Sequence, residues 1–434
     1  MNDINTVIIG GGQAGLAMSR CLTDRGVEHV VLERGRVGER WRSERWDSLQ
    51  LLTPNWQTRL PGFRYEGPDP DGFMGMPELV GFFERYAQSF AAPVQGSTTV
   101  LSVKTTAGGL FVATSRGDWT ARNVVIATGY SDRPCVPPFA SRISPDVLQI
   151  TPVEYRNPSQ LPDGGVLVVG ASATGIQLAE EINGSGRDVT LAVGRHLRLP
   201  RTYRGRDILW WLDTMGVFDD TVESVTDIRA SRRMPSLQLV GRTDHRSLDV
   251  ATLSRQGVRL VGRVTSAEGG RVSVDDEVIA TTVASDLKLA QLLTRIDAFI
   301  TRSGWSAAVE PAGPFEPTWP AAFDVRAETL DLRARGIRAI VWATGFRRSY
   351  PWLEVPVLDS RGEIRHRGGI TPVPGLHVLG MHFQRRRKSA FIDGVGDDAR
   401  VLAEHVVRGA SRCFKVHQGA SGCVGVLQGA SGCF

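Results

Sequence analysis

Apolar residues fall along this chain in short unbroken runs separated by stretches of helical spacing. Thr6-Val7-Ile8-Ile9, Val30-Val31-Leu32, Val166-Leu167-Val168-Val169 and Asp188-Val189-Thr190-Leu191-Ala192-Val193 read as strands buried on both faces of a parallel sheet. Leu16 to Arg25 joins the first two with helical periodicity, and Gly26 ends that helix as a C-terminal cap. Ile176 to Ile182 starts a helix between the second two. Leu101 to Thr105, Leu110 to Thr114 and Trp119 to Ala121 predict a three-strand meander with turns at Gly108-Gly109 and Gly117-Asp118. Two further runs, Val124 to Tyr130 and Ala339 to Phe346, each end in Ala-Thr-Gly, small residues that let a backbone approach a ligand. Between Arg204 and Arg335 the pattern is weaker. Arg206 to Met215 reads as a helix, and Gly257 to Val261 and Arg271 to Val274 as strands.

Both βαβ units carry a glycine loop between first strand and helix. The first is Gly10-Gly11-Gly12-Gln13-Ala14-Gly15 and the second Gly170-Ala171-Ser172-Ala173-Thr174-Gly175. Such loops need glycine for a tight turn, for close backbone approach to a pyrophosphate and for helix–strand packing. The helix N-terminus behind each loop presents free N–H groups and a positive dipole end to phosphate. Glu33 closes the second strand of the first unit, near the ~20-residue spacing of a ribose-binding acid. The equivalent position of the second unit carries Arg195, a cation suited to a 2′-phosphate, and Ser172 can donate to the pyrophosphate. Two loops in one chain imply two dinucleotides held at once, FAD first and NADPH second.

The expected fold is therefore α/β, with two Rossmann-like dinucleotide-binding domains of three layers, parallel sheet and β-meander, in a glutathione-reductase-like arrangement. The expected domains are 1–155 for FAD, 156–335 for NADPH with an inserted segment, and 336–407 returning to the FAD domain, the two Ala-Thr-Gly segments marking the crossings. Residues 408–434 hold a ten-residue repeat built on Gly-Ala-Ser-x-Cys with no amphipathic period, expected to be a disordered extension.

Composition narrows the function class. Hydrophobic content of 41% and charged content of 22% are those of a globular protein. The net charge of +5 comes from arginine, without a long basic run that would favour nucleic acid. No apolar stretch approaches the ~20 residues of a membrane span. No secretory leader precedes the first strand, so a cytoplasmic location is expected. None of the five cysteines forms a C-x-x-C pair, which argues against disulfide reduction. No metal cluster or Ser/His/Asp set is legible among the eight histidines, and no catalytic side chain is assigned. Arg385-Arg386-Arg387-Lys388, the densest positive run, is either a solvated face or an anion site. Asp398 is a candidate N-cap for a helix through Ala399 to Val407.

These segments together resemble the class B flavin-dependent monooxygenases: flavin-containing monooxygenases, YUCCA-like enzymes, Baeyer–Villiger enzymes and bacterial relatives. The resemblance covers roughly residues 4–407. Arg36-Val37-Gly38-Glu39-Arg40-Trp41 resembles the family's second flavin-contact motif, and Arg45 to Pro54 the loop after it. Gly394-Val395-Gly396-Asp397-Asp398-Ala399 resembles the loop that starts a helix beneath the flavin. The resemblance implies FAD contacts from Gly10, Gly12, Gln13, Ala14, Gly15, Glu33, Arg34, Arg40, Trp41, Thr128, Gly129 and Asp398. It implies NADPH contacts from Gly170, Ser172, Ala173, Thr174, Gly175, Arg195, Ala343, Thr344 and Gly345. It further implies monooxygenation of a small molecule with NADPH and O2 through a flavin C4a-(hydro)peroxide, at nitrogen, sulfur or activated carbon. Baeyer–Villiger or decarboxylative oxygenation by the same adduct is the alternative. Thr151 stands where the family linker carries a histidine, and Leu52 where animal-type members carry an asparagine. Those departures keep open an uncoupled NADPH oxidase or a redox-sensing flavoprotein. A homodimer is also compatible with the sequence.

Overall fold

The strand Asn2–Ile9 lies at the centre of a seven-stranded sheet. It pairs in parallel with His29–Leu32 on one side and Trp119–Ile126 on the other. This computed structural model describes residues 2–318 and 326–420, with the side chains of 409–420 excepted. His29–Leu32 is buried at every position, as its unbroken apolar run requires. The meander forms as Val100–Thr106, Gly109–Thr114 and Trp119–Ile126. Two expected segments, Trp119 to Ala121 and Val124 to Ile126, are thus one strand. Its first half is antiparallel to Gly109–Thr114, and its second half is parallel to Leu376–Val378.

A second sheet of five strands, all parallel, runs in the order Leu148–Ile150, Ile337–Trp342, Gly165–Val169, Val189–Ala192, Arg259–Val261. Two boundaries shift as a result. Leu148–Ile150 lies before the expected boundary at 155, and Ile337–Trp342 lies after that at 336, yet both are hydrogen-bonded into the second sheet. The chain crosses where the small residues are, just after Ile126 and just after Trp342. The strands that follow, Arg133–Pro134 and Phe346–Arg347, pair antiparallel as a two-stranded ribbon. An antiparallel sheet of Val264–Glu268, Arg271–Val274 and Glu328–Asp331 flanks the second domain.

The inserted region contains Ile208–Thr214, within the expected helix, and a 25-residue helix, Val278–Arg302, that the pattern did not announce. Its core joins Leu199, Trp211, Phe218 and Ile296 to Leu52 and Phe391 of the first domain. Trp211 is fully buried and its indole N–H donates to the Tyr203 carbonyl at 2.8 Å, so it is core. The last helix, Val395–Ala420, packs Ala399, Leu402 and Ala403 into the same core as Leu16 and Ala17 of the helix Gln13–Thr23. It carries the first part of the repeat; residues 421–434 lie outside those described.

Candidate cofactor cradles and the cleft between them

The two glycine loops have the same build. Gly10 donates its N–H to the Leu32 carbonyl at 2.9 Å and sits at φ +112°, where a Cβ would come within 2.6 Å of the Ala127 oxygen. Gly170 donates to the Ala192 carbonyl at 2.9 Å, at φ +111°, and its Cβ would overlap the Ala343 oxygen. A Cβ on Gly15 would overlap the Gly10 carbonyl, and one on Gly175 the Gly170 carbonyl. Each helix therefore packs directly on its own turn. Gly12 is different: nothing lies within 4 Å of where its Cβ would stand. The helix above it starts with no side-chain cap, which leaves N–H groups of the first turn, around Gln13 and Ala14, for a ligand. Ser172 occupies the same place before Ala173 and Thr174, its hydroxyl likewise unused as a cap.

Around the first cradle the chain converges. Glu33 accepts the Gly11 N–H at 2.6 Å and the Gly35 N–H at 2.9 Å, which fixes its carboxylate at the mouth of the loop. The Trp41 indole N–H donates to the Gln13 side chain at 3.3 Å, and the Arg45 guanidinium lies 5.1 Å from the Trp41 ring centre. Gly380 brings the chain after the strand Leu376–Val378 against Ala14. Two residues on, His382 stacks with Tyr130, 5.9 Å between ring centres, just past Thr128 and Gly129. Sequence reasoning missed this pair because the two rings are distant in the chain: Tyr130 ends an Ala-Thr-Gly run, but His382 lies in no motif. Arg40 and Arg34 are placed differently from free ligands. Arg40 donates to the Ser131 carbonyl and to Asp132 at 2.9 Å, tying its helix to the crossing segment, and Arg34 pairs with Glu44 at 3.0 Å on the surface.

At the second cradle Arg195 is exposed and makes no ion pair or hydrogen bond among the described residues. Its neighbours are committed: Arg198 pairs with both Asp249 and Asp286 at 2.9 Å. Thr344 donates its hydroxyl to the Cys135 carbonyl, and the Gly345 carbonyl accepts the Cys135 N–H at 2.8 Å, so Ala343-Thr344-Gly345 is tied to the other crossing segment.

Two expectations change. Asp398 is not an N-cap: the helix begins at Val395, whose N–H already reaches the Phe391 carbonyl, so Asp398 is its fourth residue. Asp398 is 2% exposed, with Oδ2 unpartnered, and burial pushes its pKa up to about 7 against the opposing Ser389 hydrogen bond. The basic run 385–388 is neither a solvated face nor an open anion site. Lys388 pairs with Asp219 at 3.1 Å, Arg387 with Asp220 at 2.9 Å and Arg386 with Asp397 at 2.9 Å. Backbone bonds from Val222 to Arg385, Arg387 to Asp220 and Lys388 to Phe218 complete a clamp between insertion and first domain. A buried second link is Arg201, which donates to the Leu52 carbonyl at 2.8 Å, pairs with Asp207 at 2.6 Å and lies over Phe73.

Against known proteins, the chain is 31% identical over 408 residues to a CzcO-like oxidoreductase of Geobacillus kaustophilus, covering 93% of this chain and 98% of that one. The chain belongs to the CzcO-like oxidoreductases. It is an enzyme of the flavin-dependent oxidoreductase type, and its wider relationship is the expected one, to the class B monooxygenases with FAD and NADPH as cofactors. The family model described as pyridine nucleotide-disulphide oxidoreductase matches residues 7–209 of this CzcO-like chain. A probable indole-3-pyruvate monooxygenase of Arabidopsis thaliana, YUCCA4, is 30% identical over 184 residues, 41% of this chain and 43% of that one. The flavin-containing monooxygenase of Stenotrophomonas maltophilia shares the fold, with TM-score 0.65 at 19% identity over 94% of this chain and 99% of its own. No helix among the described residues is long and apolar enough to cross a membrane.

Proposed function

We propose that this CzcO-like chain is an NADPH- and FAD-dependent monooxygenase of a small molecule, acting on nitrogen, sulfur or an activated carbon. The observation that carries this reading is the duplicated cradle: two loops of one build, each with an open helix N-terminus, joined by a short ribbon. FAD, when bound, supplies the hydride acceptor and the chemistry of oxygen activation. The chain's residues do the rest. Gly12 leaves room for the pyrophosphate, the first-turn amides at Gln13 and Ala14 receive its charge, and Glu33 accepts the ribose hydroxyls. The orphaned, buried Oδ2 of Asp398 suits a ligand hydroxyl. Ser172 and Ala173 receive the second pyrophosphate, and Arg195 its 2′-phosphate. Trp41, Tyr130 and His382 flank the first cradle and supply apolar surface that excludes water from the reacting centre. The named substrate of the plant relatives, indole-3-pyruvate, offers an activated carbon centre, which supports the carbon arm.

Thr151 favours a second reading. Its hydroxyl is spent on Glu154 at 2.7 Å within a turn, so it does not replace the family histidine as a free donor. An NADPH oxidase that releases peroxide would result. Stopped-flow mixing of the NADPH-reduced protein with oxygenated buffer separates the two. A transient absorbance band before the oxidised flavin spectrum returns supports the monooxygenase. Direct reoxidation with stoichiometric peroxide, whatever candidate substrate is present, overturns it in favour of the oxidase.

A further inference from the structure

The helix Val278–Arg302 turns an uncharged row of side chains to solvent. Ile279, Val283 and Leu287 are 41%, 43% and 60% exposed. They stand at i, i+4 and i+8, so they form one row along the helix. Ala280 and Ala284 beside them are exposed as well, and their small size lets another helix come close. The opposite face is committed: Val278, Thr282, Ser285, Asp286 and Leu289 are buried, and Asp286 holds Thr318 and Arg198. The row is therefore an outward surface of a firmly seated helix, and contiguous exposed apolar surface of this kind marks an interaction site.

Charge around the row is segregated along the helix. Asp276 and Glu277 precede it; Lys288 and Arg295 follow it. None of these four charged groups forms an ion pair among the described residues. Such a pattern complements itself when two copies lie antiparallel. With Val283 on the two-fold axis, Ile279 faces Leu287 of the second copy and Lys288 stands beside Glu277 of the second copy. The same contacts repeat on the other side of the axis, as an isologous interface requires. Antiparallel helix dipoles add in the same sense. We infer that the outward face of Val278–Arg302 is a homodimer interface, in which this helix pairs antiparallel with its own copy through Ile279, Val283 and Leu287.

The test uses the full chain with its flavin, in sedimentation velocity over a concentration series. The wild type associates to a dimer. Val283→Asp weakens association by at least about tenfold, while flavin content stays as in the wild type and the two unfolding curves coincide at concentrations where both are monomeric. Charge reversal gives a sharper readout. Glu277→Lys and Lys288→Glu are each monomeric alone, because like charges then meet at both ends. Mixed, the two variants form a heterodimer. A wild type that stays monomeric up to ~100 μM overturns the inference, including the case in which it binds phosphatidylcholine vesicles through this row instead. A dimer that Val283→Asp leaves intact also overturns it.

Discussion

Single residues separate what the protein needs for folding from what it needs for ligands. Gly12 and Gly15 stand three apart in one loop, yet their environments are opposite. A methyl on Gly12 meets nothing in the protein, whereas one on Gly15 meets the Gly10 carbonyl. Gly12→Ala is therefore expected to keep the melting temperature of the apo protein and to lose most of its flavin, read as the absorbance ratio near 450 and 280 nm. Gly15→Ala is expected to be destabilised even without flavin. Arg195 is a cation at the second cradle with no partner among the described residues, so Arg195→Glu should invert or abolish the NADPH over NADH preference in kcat/KM with little change in flavin content; an unchanged ratio refutes the role. Asp398 yields a pH prediction. Its ordinary value is 3.8 and burial lifts it to about 7. A carboxyl raised by folding stabilises the folded state while protonated, so that stability is fully present below about pH 4 and is lost as pH rises through about 7. Apo Asp398→Asn should then be more stable than wild type at about pH 8, by on the order of 2 kcal/mol. The gap should close as pH falls toward 4. The positions of the glycine loops, Glu33 and Arg195 in the fold were legible because each sits at a fixed offset from a strand. The Tyr130–His382 stack was not, since only the strand Leu376–Val378 brings His382 to the first cradle.

Among the elements, strands were easier to read than helices, for a physical reason. Val166-Leu167-Val168-Val169 lies in a strand buried throughout, so its sequence is a simple apolar run. Val278–Arg302 blurs the usual amphipathic code: Ile279, Val283 and Leu287 face water, while Thr282, Ser285 and Asp286 are buried beside Val278 and Leu289. Its opening Val-Ile-Ala-Thr-Thr-Val is also rich in β-branched residues, which favour strands. The clamp at 385–388 was invisible for another reason: its acids, Asp219 and Asp220, come from a short turn with no pattern of its own. The two links between insertion and first domain should differ in strength. The ion pairs at Asp219 and Asp220 are partly exposed, so replacing both with Ala should cost no more than about 1 kcal/mol. Arg201 is 1% exposed in its side chain, and Arg201→Ala strands Asp207 and removes the bond to Leu52. A loss of about 3 kcal/mol is expected in urea unfolding; a loss below that of the Asp219/Asp220 pair would mean that the clamp, not Arg201, joins the domains.

At the scale of the whole molecule, the second dinucleotide domain is threaded into the first and interrupts it. The first sheet is left at Ile126 and regained at Leu376; the second is left between Arg259–Val261 and Ile337–Trp342 and closed by the latter. The forked strand Trp119–Ile126 gives this threading a temporal meaning. Its first half finds its neighbour, Gly109–Thr114, as soon as the meander exists, but its second half waits for a segment some 250 residues further along. Until then one edge of the central strands lies bare, and the helix Gln13–Thr23 lacks the cover of Val395–Ala420. During vectorial synthesis the second domain can thus be complete while the first is still open. The half-made first domain is then the stage at which a chaperone has an exposed strand edge to guard.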